Sequence, residues 1–401
     1  MAAAPFDVLT TTASELQILL ASGKVTSAQL IDVYLAEIER NNGYLKAVIC
    51  TAPRNSLVEK ANALDRERSG GRTRSHLHGL PMLAKDNMDT HPHLGMDTTA
   101  GSFALAGARP KKSADVVERL IEAGVIILGK ANLSELSWFK GSQTICGWSA
   151  VGGQSQSAYV RGGIRDDDTF GGHSNPDGSS SGSAIAVSAG LTALALGTET
   201  DGSLIMPANR AALYTMKPTI GIVSQQDIVP VSQICDSAGP MTKSVLDLAL
   251  LMDIIVDPSK TSVPPKGFAS VKTDTWAEIR VGVLDPAEWK RPDFFTKPYE
   301  GTLEQMRDEF EYAYSRIERL AKTFQKYVPL PNGNDLEFNG ADSLSTLWTG
   351  HFRAVFEDYT AGLEDSQVYT LEELVEFNRK HSETELPPRY CLTIDKQVSL
   401  Y

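Results

Sequence analysis

The sequence predicts an α/β protein with a central sheet covered by helices on both faces. Two observations predict it. Stretches with apolar residues at helical spacing alternate with short runs that are apolar throughout. A run with no polar alternation is the mark of a strand buried on both sides.

The elements follow in order. Thr12 with Glu15, and Thr26 with Gln29, have the spacing of capping boxes that start two helices. Leu30, Val33, Tyr34 and Ile38 then recur at helical spacing, and Asn41-Asn42-Gly43 reads as the stop. Ser113 reads as the cap of a helix carrying Val116, Val117, Leu120 and Ile121, ended by Gly124. Val125 to Leu128 is the strand that follows it. Ser183 to Gly190 is small and apolar, which fits a helix packed tightly, and Leu194-Ala195-Leu196 is the next strand. Ser244 and Asp247 start another helix through Leu248, Leu251 and Ile255. Val281 to Leu284 reads as a strand, and 257–278 as a surface connection rich in Pro, Lys, Ser and Thr. The strongest helical pattern runs over 302–327, with Leu303, Met306, Phe310, Ala313, Ile317, Leu320 and Phe324 in phase and Thr302/Gln305 as its cap. No internal repeat is present. The 141–183 stretch is dense in Gly, Ser, Gln and Asn around Asp166-Asp167-Asp168, and reads as a functional loop packed over a site.

Composition narrows the function. The chain has 401 residues, 42% of them hydrophobic, and a net charge of −12. That balance excludes disorder and opposes nucleic-acid binding, which needs Lys/Arg surfaces. Four scattered cysteines (Cys50, Cys146, Cys235 and Cys391) form no C-x-x-C pair and read as reduced thiols. The N-terminus has no basic stretch leading into an apolar one, and no run is long enough to span a membrane, so a cytoplasmic protein is expected. Asn132-Leu133-Ser134 matches a glycosylation sequon by chance on that reading.

The chemistry concentrates in two Gly/Ser-rich segments and one lysine upstream. Ser179 lies in Gly178-Ser179-Ser180-Ser181-Gly182-Ser183-Ala184, and Ser203 in Gly197-Thr198-Glu199-Thr200-Asp201-Gly202-Ser203. Lys85 lies in Gly79-Leu80-Pro81-Met82-Leu83-Ala84-Lys85-Asp86-Asn87. The backbone N–H groups of Thr200, Asp201, Gly202 and Ser203 can form a nest for negative charge, either a phosphate or the oxyanion of acyl transfer. The phosphate-loop pattern is absent. Gly178-Ser179-Ser180-Ser181-Gly182 also matches G-x-S-x-G, which would make Ser180 a nucleophile, but a loop-like stretch precedes it where a strand is required. Ser137-Trp138-Phe139-Lys140 matches S-x-x-K without its partner motifs.

Taken together, these blocks resemble the amidase signature family. Gly129-Lys130-Ala131-Asn132, Lys217-Pro218-Thr219 and Asp236-Ser237-Ala238-Gly239-Pro240-Met241 complete the set, in the family's order, over roughly residues 10–255. Weaker similarity extends through Leu371 to Asn378, and the wording of the blocks looks most like fungal members. The resemblance implies the amidase signature fold, with a mixed central β-sheet, in one domain over 1–401. Within it, 10–70 is an N-terminal helical region, 79–255 the catalytic core, and 256–401 a C-terminal region that looks shortened against the family. It implies Ser203 as acyl-accepting nucleophile, Ser179 as relay behind a cis peptide bond, and Lys85 as base. It also implies an oxyanion hole from the backbone of Thr200 to Ser203, with no metal and no cofactor. An unperturbed lysine (pKa ~10.4) is neutral only about one part in a thousand at pH 7.5, so burial must lower Lys85. Asp236 is expected to orient backbone, Lys217 to be structural, and His173 to be a loop or core residue. Asp201 and Ile205 depart from the family, where glycine and arginine are common.

The function implied is hydrolysis of a small carboxamide to acid and amine or ammonia. A glutamine-dependent transamidation subunit is a variant of it. The alternative is a shortened, catalytically impaired paralogue that acts as a binding protein. A homodimer is compatible with the sequence.

Overall fold

Two reciprocal caps open the chain. In the computed structural model, which describes residues 5–386 apart from 142–143, 166, 170, 289–290, 294, 297 and 331–335, Thr12 Oγ1 accepts from the Glu15 N–H while Glu15 accepts from the Thr12 N–H. This box starts α1 (Ala13–Ala21). The Thr26/Gln29 box starts α2 (Ser27–Leu45) in the same way. Asn41-Asn42-Gly43 does not stop α2. The helix runs on to Leu45 and ends at Lys46, which is left-handed at φ 50°. Asn42 instead turns its amide forward: Oδ1 accepts from the Ala47 and Val48 N–H groups and Nδ2 donates to the Val48 carbonyl. It thereby fixes the entry to β1 (Val48–Thr51).

After α3 (Arg54–Ser69), β2 (Pro81–Lys85) leads to α4 (Asp115–Glu122) and β3 (Ile126–Ala131). Ser113 does not cap α4. Ala114 holds the cap position, and the Ser113 hydroxyl accepts from the His91 N–H instead. A short hairpin, β4 (Trp148–Ser149) and β5 (Gly153–Gln154), precedes α5 (Ser181–Ser188) and β6 (Leu194–Glu199). Then come α6 (Ile205–Arg210), β7 (Tyr214–Thr215), β8 (Ser237–Thr242) and α7 (Val245–Ile255), the last capped by Ser244 as its sequence predicts.

Six strands form a mixed sheet in the order β1-β3-β2-β6-β8-β7. The central strands β3, β2 and β6 are parallel, with Met82 opposite Ile127 and Ala84 opposite Leu196. The flanking strands β1, β8 and β7 are antiparallel. Every residue of β2, β3, β6 and β8 is buried. Successive strand side chains point to opposite faces, so both faces are covered. Helix α5 crosses one run of strands from β1 to β8, while α4 and α7 pack on each other and on β3 and β8.

The C-terminal part departs from expectation. β9 (Arg280–Gly282) pairs only with β10 (Thr323–Gln325), outside the main sheet. The predicted 302–327 helix ends earlier, as α8 (Thr302–Leu320), because Phe324 is drawn into β10. Its N-cap is Gly301, which has no side chain to bond, so the Thr302/Gln305 cap does not form. The apolar stripe has the right period yet stays uncovered by the described residues: Leu303 is 46% and Met306 44% exposed. Beyond β11 (Glu337–Phe338) and β12 (Ala341–Asp342), α9 (Ser343–Ala361) and α10 (Leu371–Lys380) bury Phe352, Phe356, Leu371 and Leu374 in a second cluster with Ala100, Ala104 and Leu105. The last helix among the described residues is α11 (Ser382–Glu385). Among the described residues no helix is long and apolar enough to cross a membrane. Cys391 lies outside the described residues.

Candidate active site

Parallel neighbours β2 and β6 end at one edge of the sheet, the edge where α/β folds bind ligands. Lys85 is the last residue of β2, and Thr198 and Glu199 close β6. Ser179 lies two residues before α5, and Ser203 two residues before α6. Glycine permits the close approach here. A Cβ on Gly182, in the first turn of α5, would lie 2.3 Å from the Ala47 carbonyl oxygen and 2.5 Å from the Asn132 nitrogen.

The geometry brings Lys85 and Ser179 into contact. Lys85 is fully buried, and its Nζ donates to Ser179 Oγ at 2.8 Å, to Thr198 Oγ1 at 2.8 Å and to the Thr198 carbonyl at 3.3 Å. Burial pushes the Lys85 amine down to about 7, with the carboxylates of Asp236 and Glu199 pulling the other way. Asn87 Nδ2 supports the same Thr198 hydroxyl. The Gly178–Ser179 peptide bond is cis.

Ser203 is nearby and differently placed. Its carbonyl accepts from the Ser180 N–H at 3.2 Å, which ties the two serine segments together. Its hydroxyl carries no hydrogen bond to a described residue, and the residue is 8% exposed. Ser180, the competing candidate, is fully buried. Its hydroxyl donates to the Thr198 carbonyl and accepts from the Thr198 N–H, so both functions are occupied.

The segment between β6 and α6 is clamped from three sides. Glu199 Oε2 accepts from the Leu204 and Ile205 N–H groups, just past Ser203. Asp236 Oδ1 accepts from Thr200 Oγ1 at 2.6 Å, and Lys217 Nζ donates to the Thr200 carbonyl at 2.6 Å. Among the described residues, the N–H groups of Thr200, Asp201, Gly202 and Ser203 have no acceptor. Gly202 takes φ 77°, which a glycine accommodates. Asp201 is exposed. Where arginine is common in the family, Ile205 is 47% exposed, and a different cation, Lys217, stands 3.9 Å from Glu199.

Thr198, Asn87, Glu199 and the contact made by Lys217 were not singled out from the sequence as parts of a site. They fall inside or beside the resembling blocks, but their partners lie up to 113 residues away. Asp236 orients backbone as expected, accepting from the Val231 and Ser232 N–H groups.

Other sequence matches resolve as structure. Lys140 is fixed between the buried carboxylates of Glu135 and Glu385. The Asn132 side-chain amide is buried and donates to Lys46, Gly153 and Ser155. His173 stacks edge-on against Tyr299, apart from the site. Cys50, Cys146 and Cys235 are free thiols. Among the described residues no His, Cys, Asp and Glu group has the arrangement of a metal site.

Known proteins are similar to this chain in sequence and in fold. The family profile described as Amidase matches residues 29–311. A protein of Arabidopsis thaliana named as a probable amidase is 41% identical over 291 residues, which is 70% of this chain and 54% of the relative. An amidase-family protein of Schizosaccharomyces pombe is 32% identical over 389 residues, 93% of this chain and 63% of its own. The chain therefore spans between half and two thirds of the curated relatives it matches. Among solved structures, the native peptide amidase of Stenotrophomonas maltophilia superposes with a TM-score of 0.79 at 34% identity, covering 97% of this chain and 75% of its own. A family match over most of the chain, and a shared fold at that identity, place the chain in the amidase signature family.

Proposed function

We propose that the chain is a serine hydrolase that cleaves a carboxamide C–N bond through an acyl-enzyme on Ser203, with Ser179 as proton relay and Lys85 as base. The observation that carries this reading is the buried Lys85 amine, 2.8 Å from Ser179 Oγ and lowered to about 7 by burial. A lysine held near neutrality supplies a lone pair at physiological pH, which an exposed lysine does not.

The proposed reaction uses the Lys85–Ser179 hydrogen bond already present and has Ser203 turn its unbonded hydroxyl toward Ser179 when substrate binds. Ser203 Oγ bonds to the amide carbon as its proton passes to Ser179, whose own proton passes to Lys85. The carbonyl π electrons move to oxygen. The free N–H groups of Thr200 to Ser203 are the donors for that oxyanion, each such donor being worth about 100–1000-fold in rate. Lys85 returns its proton through Ser179 to the amide nitrogen. The C–N bond breaks and the amine or ammonia departs. Water, deprotonated along the same path, then cleaves the ester to the carboxylate. Clamping by Glu199, Lys217 and Asp236 keeps the donors in place before substrate arrives.

A cavity of about 410 Å³ opens beside Asp236, lined also by Asp89, Gln225, Gln233, Val355 and Tyr359. Lys85, Ser179 and Ser203 do not line it, so the substrate is not assigned to this cavity. The test is covalent labelling with a fluorophosphonate, with the modified residue located by peptide mass spectrometry, beside a panel of small carboxamides. Label on Ser203, lost in Ser203→Ala and Lys85→Ala, supports the reading. No label and no turnover across the panel at pH 7–10 sinks it.

A further inference from the structure

Asp236 touches the Thr200–Ser203 segment of the proposed site and has no role in the proton path. One oxygen accepts from the Thr200 hydroxyl at 2.6 Å, and the other from the N–H groups of Val231 and Ser232 at 2.8 and 2.9 Å. The residue immediately precedes β8, whose Ser237 pairs with Glu199 and whose Ala238 pairs with Thr198. Thr198 is the residue that receives the Lys85 amine. Asp236 therefore stands at the strand end flanking Lys85, and it is 8% exposed.

We propose that Asp236 is a positioning residue for the amide hydrolysis: it anchors the Thr200–Ser203 segment through the Thr200 hydroxyl and places one negative charge beside Lys85. The inference rests on the hydrolase reading. The anchor is geometric. Thr200 is the first residue after β6, and its side chain and its carbonyl are held separately, by Asp236 and Lys217. Asp236 Oδ2 accepts from the Val231 and Ser232 N–H groups and Oδ1 accepts from the Thr200 hydroxyl, an acceptor position that an amide nitrogen could not fill.

The charge has few competitors. Glu199 is the other carboxylate acting on Lys85, and Lys217 lies 3.9 Å from it. Asp86, next to Lys85 in the chain, is paired with the buried Lys130 at 3.3 Å. Asp89, Asp227 and Asp358 line the same cavity as Asp236, with Lys111 and with Lys112, which pairs with Asp227. Asp201 is on the exposed side of the segment. Asp236 favours the charged form of Lys85, so removing its charge makes the neutral base available at lower pH.

The test is the pH dependence of Ser203 labelling by a fluorophosphonate in the full chain. In Asp236→Asn, the rising limb moves toward acid by about one pH unit, as the loss of one nearby charge requires. Thr200→Val removes the anchor and keeps the charge, so labelling slows about tenfold with the limb in its wild-type place. An unmoved limb in Asp236→Asn overturns the charge role. A wild-type rate in Thr200→Val overturns the anchor, and that arm stands even where Asp236→Asn does not fold. A wild-type chain that takes no label at any pH removes the hydrolase reading itself, and this inference with it.

Discussion

Lys85 Nζ and Ser179 Oγ lie 2.8 Å apart, joined by a hydrogen bond between residues 94 positions apart in sequence. Thr198 completes the lysine's surroundings with its hydroxyl and its carbonyl, and among the described residues no carboxylate is hydrogen-bonded to the amine. The cost of burying a charge there thus falls on the lysine, and its proton affinity drops.

Lys85→Met follows from that balance. Turnover falls by about a thousandfold or more, since the base is gone. Stability moves the other way at low pH. The folded amine titrates near 7 and the unfolded one near 10.5, so between these values the unfolded chain binds more protons and wild-type stability rises with pH. Below pH 7 the wild type carries a buried charge that the Met variant lacks. Urea unfolding at pH 6 and pH 9 checks it. The stability gap favouring Lys85→Met narrows at pH 9 by a few kcal/mol at most, on the order of 3. A gap independent of pH contradicts the lowered lysine.

The adjacent serines separate cleanly. Ser179→Ala breaks the contact to Lys85 and lowers labelling of Ser203 by about a hundredfold or more. Ser180→Ala loses two hydrogen bonds to Thr198 and costs roughly 1–3 kcal/mol of stability, yet Ser203 still labels. Thermal melts and labelling rates on the pair decide. Loss of label in a folded Ser180→Ala at the level of Ser179→Ala would overturn the assignment.

Glu199→Ala tests the clamp behind Ser203, the proposed nucleophile. Its carboxylate holds the N–H groups of Leu204 and Ile205. Losing two charge-assisted bonds costs about 2–4 kcal/mol and slows acylation about 10- to 100-fold. Steady-state kinetics with kcat reduced and KM little changed is the expected split.

The cluster of Lys140, Glu135 and Glu385 ties α11 to the core, and Glu385 also accepts from Ser102 and Phe103. Burial pushes the Glu135 carboxyl up to about 8, with Lys140 opposing. Lys140→Met leaves the buried Glu135 and Glu385 side chains without their cation and costs about 3–5 kcal/mol. A melting temperature within a degree of wild type would show that the cluster adds little.

Much of the fold was legible because its signals are local. Both N-terminal capping boxes bond residues three apart, and the apolar runs 125–128 and 194–196 lead into β3 and β6, whereas β2, which ends on Lys85, was not singled out as a strand. Misreadings arose where a distant or unexpected partner won. Asn42 gives its amide to Ala47 and Val48 and so does not end its helix, and Ser113 bonds His91 across the fold. The α8 stripe has a clear period, but period says nothing about whether a partner surface covers it. The proposed site shows the same division. Lys85, Ser179 and Ser203 stood out through the order of their motifs, whereas the contacts of Thr198, Glu199, Lys217 and Asp236 join strand ends that only the sheet brings together.

The most direct test of the central claim is the pH dependence of kcat/KM, or of Ser203 labelling, in the wild-type chain from pH 5 to 10. A lysine base lowered by burial gives a rate that is small at pH 5, rises through a limb near pH 7, and is level above it. A rate that is flat across the range, or a limb near 10 as for an ordinary lysine, contradicts Lys85 as the neutral base.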